Sequence, residues 1–242
     1  MDTPSASAAP RSIWAIIADV FLAPTQAFES FKLKPTNLVP LILVILLGAI
    51  AGGLPYKQNA QSQIDLLSSS TSLPPQALEQ IRQNAQNPSP ITSTAGGAIV
   101  LPIITLIGAL IAWFIGSFIL GKKAVYLHVW GVILLADLIS LVGGVLRSLL
   151  IVAKDSIYVS LGPAALLPGK DFTSILYSIL YYTDIFAIWS LIVAGFGYAA
   201  IFGVSRSKGM TISVVLWAIG ILFVVGSQLI GFSFAGVKVS FF

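Results

Sequence analysis

Apolar residues in this chain come in long uncharged blocks rather than at regular helical intervals, and a block of roughly 18 or more such residues is long enough to cross a bilayer. The blocks predict five spans, at about 38–54, 97–120, 125–152, 183–204 and 210–230. Pro55 closes the first, which carries Gly48 and Gly52 four residues apart, a spacing that lets another helix approach closely. Gly121, Lys122 and Lys123 form a tight basic turn between the second and third, and residues 205–209 form another between the fourth and fifth. From Phe172 to Val204 the chain stays apolar for longer than one span needs. That stretch divides into an interfacial aromatic piece, Phe172 to Tyr182, and a fourth span that starts near Thr183 or Asp184.

The segments between and around the blocks have a different pattern. Residues 1–11 are small and polar and are expected to be a disordered tail, with no cleaved signal. In residues 12–36, Ile13, Trp14, Ile16, Ile17, Val20, Phe21, Phe28 and Phe31 alternate with Asp19, Gln26, Glu29 and Lys32. This suits an amphipathic interfacial segment of one or two short helices in the headgroup plane, or else helices packed against the spans. Pro24 breaks the segment and Pro35 ends it. A polar loop occupies 56–95, with one short helix expected over LPPQALEQIRQNAQ. A second loop covers 153–171, and a tail, 232–242, is expected to rest on the membrane surface. The fold expected is an all-α integral membrane protein, a bundle of five transmembrane helices with an amino-terminal amphipathic segment.

Composition supports this class. The 242 residues are 57% hydrophobic and 9% charged, against about 25% charge in an ordinary soluble domain. With no cysteine, thiol nucleophiles, disulfides and Cys-based metal sites are excluded. The net charge of +4 reports orientation rather than a nucleic-acid partner. Arg11, Lys32, Lys34, Lys122, Lys123, Arg206 and Lys208 fall on one side of the predicted layout, and Lys57, Arg82, Lys154, Lys170 and Lys238 on the other. The first set sits in compact segments beside span ends. The amino end is therefore expected in the cytoplasm and the carboxyl end outside.

An ionisable group within a span is a functional candidate, because a charge at the bilayer centre costs at least ~2.5 kcal/mol. Asp137, Arg147 and Asp184 qualify. If the third helix enters near Val125, Asp137 lies roughly 18 Å along its axis, near mid-membrane. Arg147 is ten residues further and about 80° round the helix, so the two cannot pair. Asp184 begins the fourth span at the level of Arg147, which predicts an interhelical contact between them or snorkelling of Arg147 to the headgroups. Asp137 is left protonated, bonded to a neighbouring helix, or facing a water-filled cavity. His128 is the only histidine and has no partner at metal-ligand spacing. Neither a phosphate loop, an HExxH helix nor a GxSxG elbow is present. No enzyme activity, cofactor or metal is expected.

The opening DVFLAPTQAFESFKLKP, with Pro24, Phe28 and Pro35, resembles the start of bacterial Yip-domain membrane proteins. The stretch DIFAIWSLIVAGFGYAAIFGVSRSKGMTISVVLW, with Asp184, Trp189, Gly195, Ser205 and Lys208, resembles the fourth span, basic turn and fifth span of the same family. The resemblance implies a five-helix bundle and, in eukaryotic members, association with prenylated Rab-type GTPases and roles in vesicle traffic and membrane shaping. Those members carry an Asp-Leu-Tyr-Gly-Pro motif. Here residues 19–24 keep the acid, an aromatic and the proline but add a residue and lack the glycine, which weighs against a GTPase partner. The partners expected are membrane lipids, other membrane proteins or a second copy of the chain. The function expected is non-enzymatic organisation of membrane or partner proteins; the alternative is a small transporter or channel using Asp137.

Overall fold

The computed structural model describes residues 11–68 and 73–241. The expected disordered tail therefore lies outside the described residues except for Arg11, which pairs with Asp19.

Two short helices open the fold, α1 (Ile13–Leu22) and α2 (Pro24–Leu33). The Ser12 hydroxyl caps α1 by accepting the Ala15 N–H at 3.2 Å. Pro24 fills the first turn of α2, where its missing N–H leaves no partner wanting. The two form a hairpin whose inner stripe, Ile16, Val20, Ala27, Phe28 and Phe31, is completely or almost completely buried against the bundle. Its outer side leaves Trp14, Leu22 and Leu33 exposed. The segment is amphipathic, and the apolar stripe is spent on the spans rather than on lipid.

Next come α3 (Leu38–Gly53), α4 (Tyr56–Ser68), α5 (Pro75–Gln86) and α6 (Pro90–Ala95). A π-helical turn, Gly96–Val100, leads into α7 (Leu101–Phe114), and a second, Ile115–Ile119, extends it, so that Pro90–Ile119 is one rod. Then follow α8 (Tyr126–Lys154), a short α9 (Ile175–Tyr182), α10 (Ile185–Phe202) and α11 (Arg206–Phe234). Among the described residues four helices are long and apolar enough to cross a membrane: Pro90–Ile119, α8, α10 and α11. A fifth crossing is available if α3 and the start of α4, bent by 54° to each other, count as one span.

Helices outrun the apolar blocks because backbone hydrogen bonding does not stop where hydrophobicity does. Thus α11 begins at the Ser205 cap, whose hydroxyl accepts the Lys208 N–H at 3.4 Å, and runs on to Phe234. The largest departure from expectation is α4. The stretch YKQNAQSQIDLLS has no membrane-like character, yet it continues α3 as a helix after the bend. In the tail, Ser240 bridges to Ser174, the Ile175 N–H donating to the Ser240 carbonyl at 3.0 Å, so the carboxyl end is tied to the start of α9.

Central α8 packs on α3, α7 and α10, and α11 packs mainly on α10. Glycines set these distances. A Cβ on Gly48 of α3 would lie 2.7 Å from the Gly97 carbonyl oxygen, so only the bare backbones fit. The α10–α11 contact is similarly close, since a Cβ on Gly209 would lie 2.7 Å from the Ala199 nitrogen.

Candidate functional site

Residues singled out by the sequence collect in three places. The first is the hairpin. Phe28 lies over Gly197 of α10, where an added Cβ would come within 3.0 Å of the ring, and Phe31 lies against Gly131 of α8. Lys32 donates to the Ala200 carbonyl at 3.0 Å, and Asn37 to the Leu127 carbonyl at 2.7 Å. Pro24 therefore starts the helix that carries the two phenyl keys, and the exposed Pro35 lies in the turn that follows it. Of the other motif residues, Gly195 sits against Met210, Ser205 caps α11, Trp189 faces outward on α10, and Lys208 is exposed. These explain the local fold and carry no chemistry of their own.

The second place is the opposite end of the bundle, where Arg147 of α8 pairs with Asp184. Asp184 is 5% exposed and also caps α10, accepting the Ala187 N–H at 2.8 Å. The guanidinium stacks on the Tyr181 ring, 4.7 Å from its centroid. Around it lies a second core of Phe172, Tyr177, Tyr181 and Ala164, joined by Tyr158 and tied to α11 by Gln228, which donates to the Phe172 carbonyl at 2.9 Å. This aromatic cluster lies outside the candidate spans. Burial pushes the Tyr177 hydroxyl up to about 12, with Tyr181 and Tyr158 adding to the effect. Every part of this cluster has a structural job, so it reads as an anchor.

The third place is a cavity of about 450 Å³ between α7, α8, α10 and α11. Asp137 lines it at mid-helix, beside Ser140 and with Tyr198 and Trp217 in the same wall. Among the described residues the Asp137 carboxylate has neither a hydrogen bond nor an ion pair. Three hydroxyls of the lining are already committed: Ser190 donates to the Ala136 carbonyl at 2.9 Å, Ser213 to the Leu191 carbonyl, and Thr105 to the Pro102 carbonyl at 2.8 Å. Ile107 and Phe223 also line the cavity and are exposed on the outside of the bundle. Its mouth therefore lies in the side wall, where α7 and α11 touch only slightly. No residue of a connecting loop lines it. Among the described residues no group of three or more metal-ligating side chains forms.

Sequence reasoning singled out Asp137, Arg147 and Asp184 by depth and charge. It missed Tyr198, Trp217 and Ser140, which carry no signal in one dimension beyond being aromatic or small within an apolar run.

A family profile described as Yip1 domain matches residues 18–227. The chain is also similar to Membrane protein YknW of Bacillus subtilis (strain 168), with 26% identity over 220 residues, covering 87% of this chain and 89% of that protein. No solved structure matches.

Proposed function

The chain belongs to the Yip1 domain family and is an integral membrane protein; from that premise we propose that it acts without catalysis, organising membrane or partner proteins through the outer surface of its amino-terminal hairpin. The observation that carries this reading is the hairpin itself. Its inner stripe is keyed into glycine notches on α8 and α10, so the outer residues Trp14, Leu22 and Leu33 are held in fixed places. Large exposed apolar residues on a rigid support suit a lipid headgroup layer or a partner's surface. The sidedness that goes with this reading puts the hairpin in the cytoplasm of a bacterial cell and the carboxyl end outside, following the compact basic segments.

The test replaces Trp14, Leu22 and Leu33 by glutamate. All three side chains are exposed, so the fold is expected to survive. Membrane distribution of a fluorescent fusion, and photo-crosslinks formed from the exposed position of Ala18 in native membranes, should both change. If neither does, the hairpin is not the working surface.

Transport is the second reading, favoured by one observation: Asp137 lines a cavity in the middle of the bundle. In proteoliposomes it requires a solute or proton flux that Asp137→Asn abolishes. The sideways mouth weighs against it, because passage across the layer needs access from both ends.

A further inference from the structure

We propose that the side cavity at Asp137 is a binding site for a lipophilic amine, a compact apolar body carrying one protonated nitrogen and entering from the hydrocarbon. The inference goes beyond the organising role and holds whether or not the protein moves a solute.

Four observations converge on that chemistry. The cavity volume, about 450 Å³, is in the range of sites for small organic molecules, roughly 300–1,000 Å³. Its one ionisable acid is Asp137, and no Lys, Arg or His lines the space. A carboxylate among apolar walls is costly unless a counter-charge and hydrogen-bond donors meet it. The hydroxyls of Ser190, Ser213 and Thr105 are spent on backbone carbonyls, and those of Ser140 and Tyr198, which also line the space, can donate a hydrogen bond but bring no positive charge, so the counter-charge has to arrive with a ligand. An ammonium supplies both the charge and the N–H groups. The rings of Tyr198 and Trp217 line the same cavity, and aromatic rings beside a carboxylate are a combination suited to an alkylammonium.

The mouth decides the rest of the molecule. Its rim residues Ile107 and Phe223 are exposed on the face that meets lipid tails. A hydrated inorganic cation would have to shed its water there with a single carboxylate in return. A fatty acid or phosphate ester would bring a second negative charge to Asp137 with no cation to offset it. A neutral lipid chain fits the walls and leaves Asp137 unanswered.

The test uses the full chain in nanodiscs of zwitterionic lipid, titrated with bromododecylamine or with bromododecanol, the neutral molecule of the same shape. Quenching of Trp217 is the readout, identified by its loss in Trp217→Phe. The amine should quench saturably, at least about tenfold more tightly than the alcohol, the scale of one charge-assisted hydrogen bond. Asp137→Asn should reduce the amine to the alcohol's level, and Asp137→Glu should keep most of the advantage. Gly220→Leu provides a check that leaves the acid untouched. A Cβ at Gly220 meets no atom within 4 Å, so the larger side chain can occupy the cavity and should block both probes. The proposal is overturned if amine and alcohol bind alike, if Asp137→Asn retains the amine's advantage, or if Gly220→Leu leaves amine binding unchanged.

Discussion

Asp184 divides its two oxygens between two tasks: one receives the guanidinium of Arg147 from α8, and the other caps α10 by taking the Ala187 N–H at 2.8 Å. Both side chains are mostly shielded, with 16% and 6% exposure for Arg147 and Asp184, so solvent screens the pair little. Removing one partner leaves the other charge buried, which costs about 3–5 kcal/mol. Arg147→Ala should therefore lower the midpoint of thermal unfolding in detergent markedly. Exchanging the two residues should restore the pair and still fall short of the native chain by about 1 kcal/mol, the value of the lost cap. A double exchange no more stable than the weaker single reversal would show that the pair is not what joins these helices.

Docking of the hairpin depends on small residues opposite large ones. Phe28→Ala empties a buried site and should cost about 3–5 kcal/mol. Gly197→Leu should release the hairpin from the other side, because its Cβ would already crowd the Phe28 ring at 3.0 Å, although it would also press on Val132 of α8. Limited proteolysis with trypsin at Lys32 reads the release. Cleavage should accelerate in both variants while the spans stay protected.

Two adjacent glycines give an internal control for the contact between α3 and the rod of α6 and α7. A Cβ on Gly97 runs into the Gly48 carbonyl, whereas one on Gly96 meets nothing within 4 Å. Gly97→Ala should cost about 1–3 kcal/mol through overpacking, and Gly96→Ala nothing measurable. Equal effects in thermal unfolding would remove the close contact from the account.

Tyr177 makes an alkaline signature. Its hydroxyl is buried without a hydrogen-bond partner, and burial pushes its ionisation from the ordinary 10.0 up to about 12. Above the ordinary value the unfolded chain gives up this proton first, so the folded state is favoured less as pH rises. The contribution is intact below about pH 10 and is lost on the way to about 12. The late-titrating part of the tyrosinate absorbance should lose one group in Tyr177→Phe. That variant should be at least as stable as the native chain, since it deletes an unanswered polar atom.

How much of this could be read from the residues depends on whether one dimension holds the information. Depth does, because rise per residue is constant, and counting along the third and fourth apolar blocks brings Arg147 and Asp184 to one level. The cap of α10 is visible for the same reason, as an acid just ahead of an apolar run. The partner of an amphipathic stripe is not visible, since Ile16, Val20 and Phe28 would face lipid or protein with the same chemistry. Helix α4 was obscured by its composition, as Gln- and Asn-rich sequence reads as loop until a preceding helix nucleates it. The cavity has no sequence signal at all. It is the space left where α7 and α11 barely touch, and Tyr198 and Trp217 acquire meaning only from that gap.

That gap also determines how strongly a guest needs to be held. A molecule reaching the cavity sideways has already partitioned into the bilayer, at about 0.8 kcal/mol for each methylene withdrawn from water, so its local abundance is far above its aqueous concentration. Grip at the cavity can be loose and occupancy still high, with exchange as quick as diffusion in the plane of the sheet allows. Longer tails would raise occupancy without any change in the contacts at Asp137.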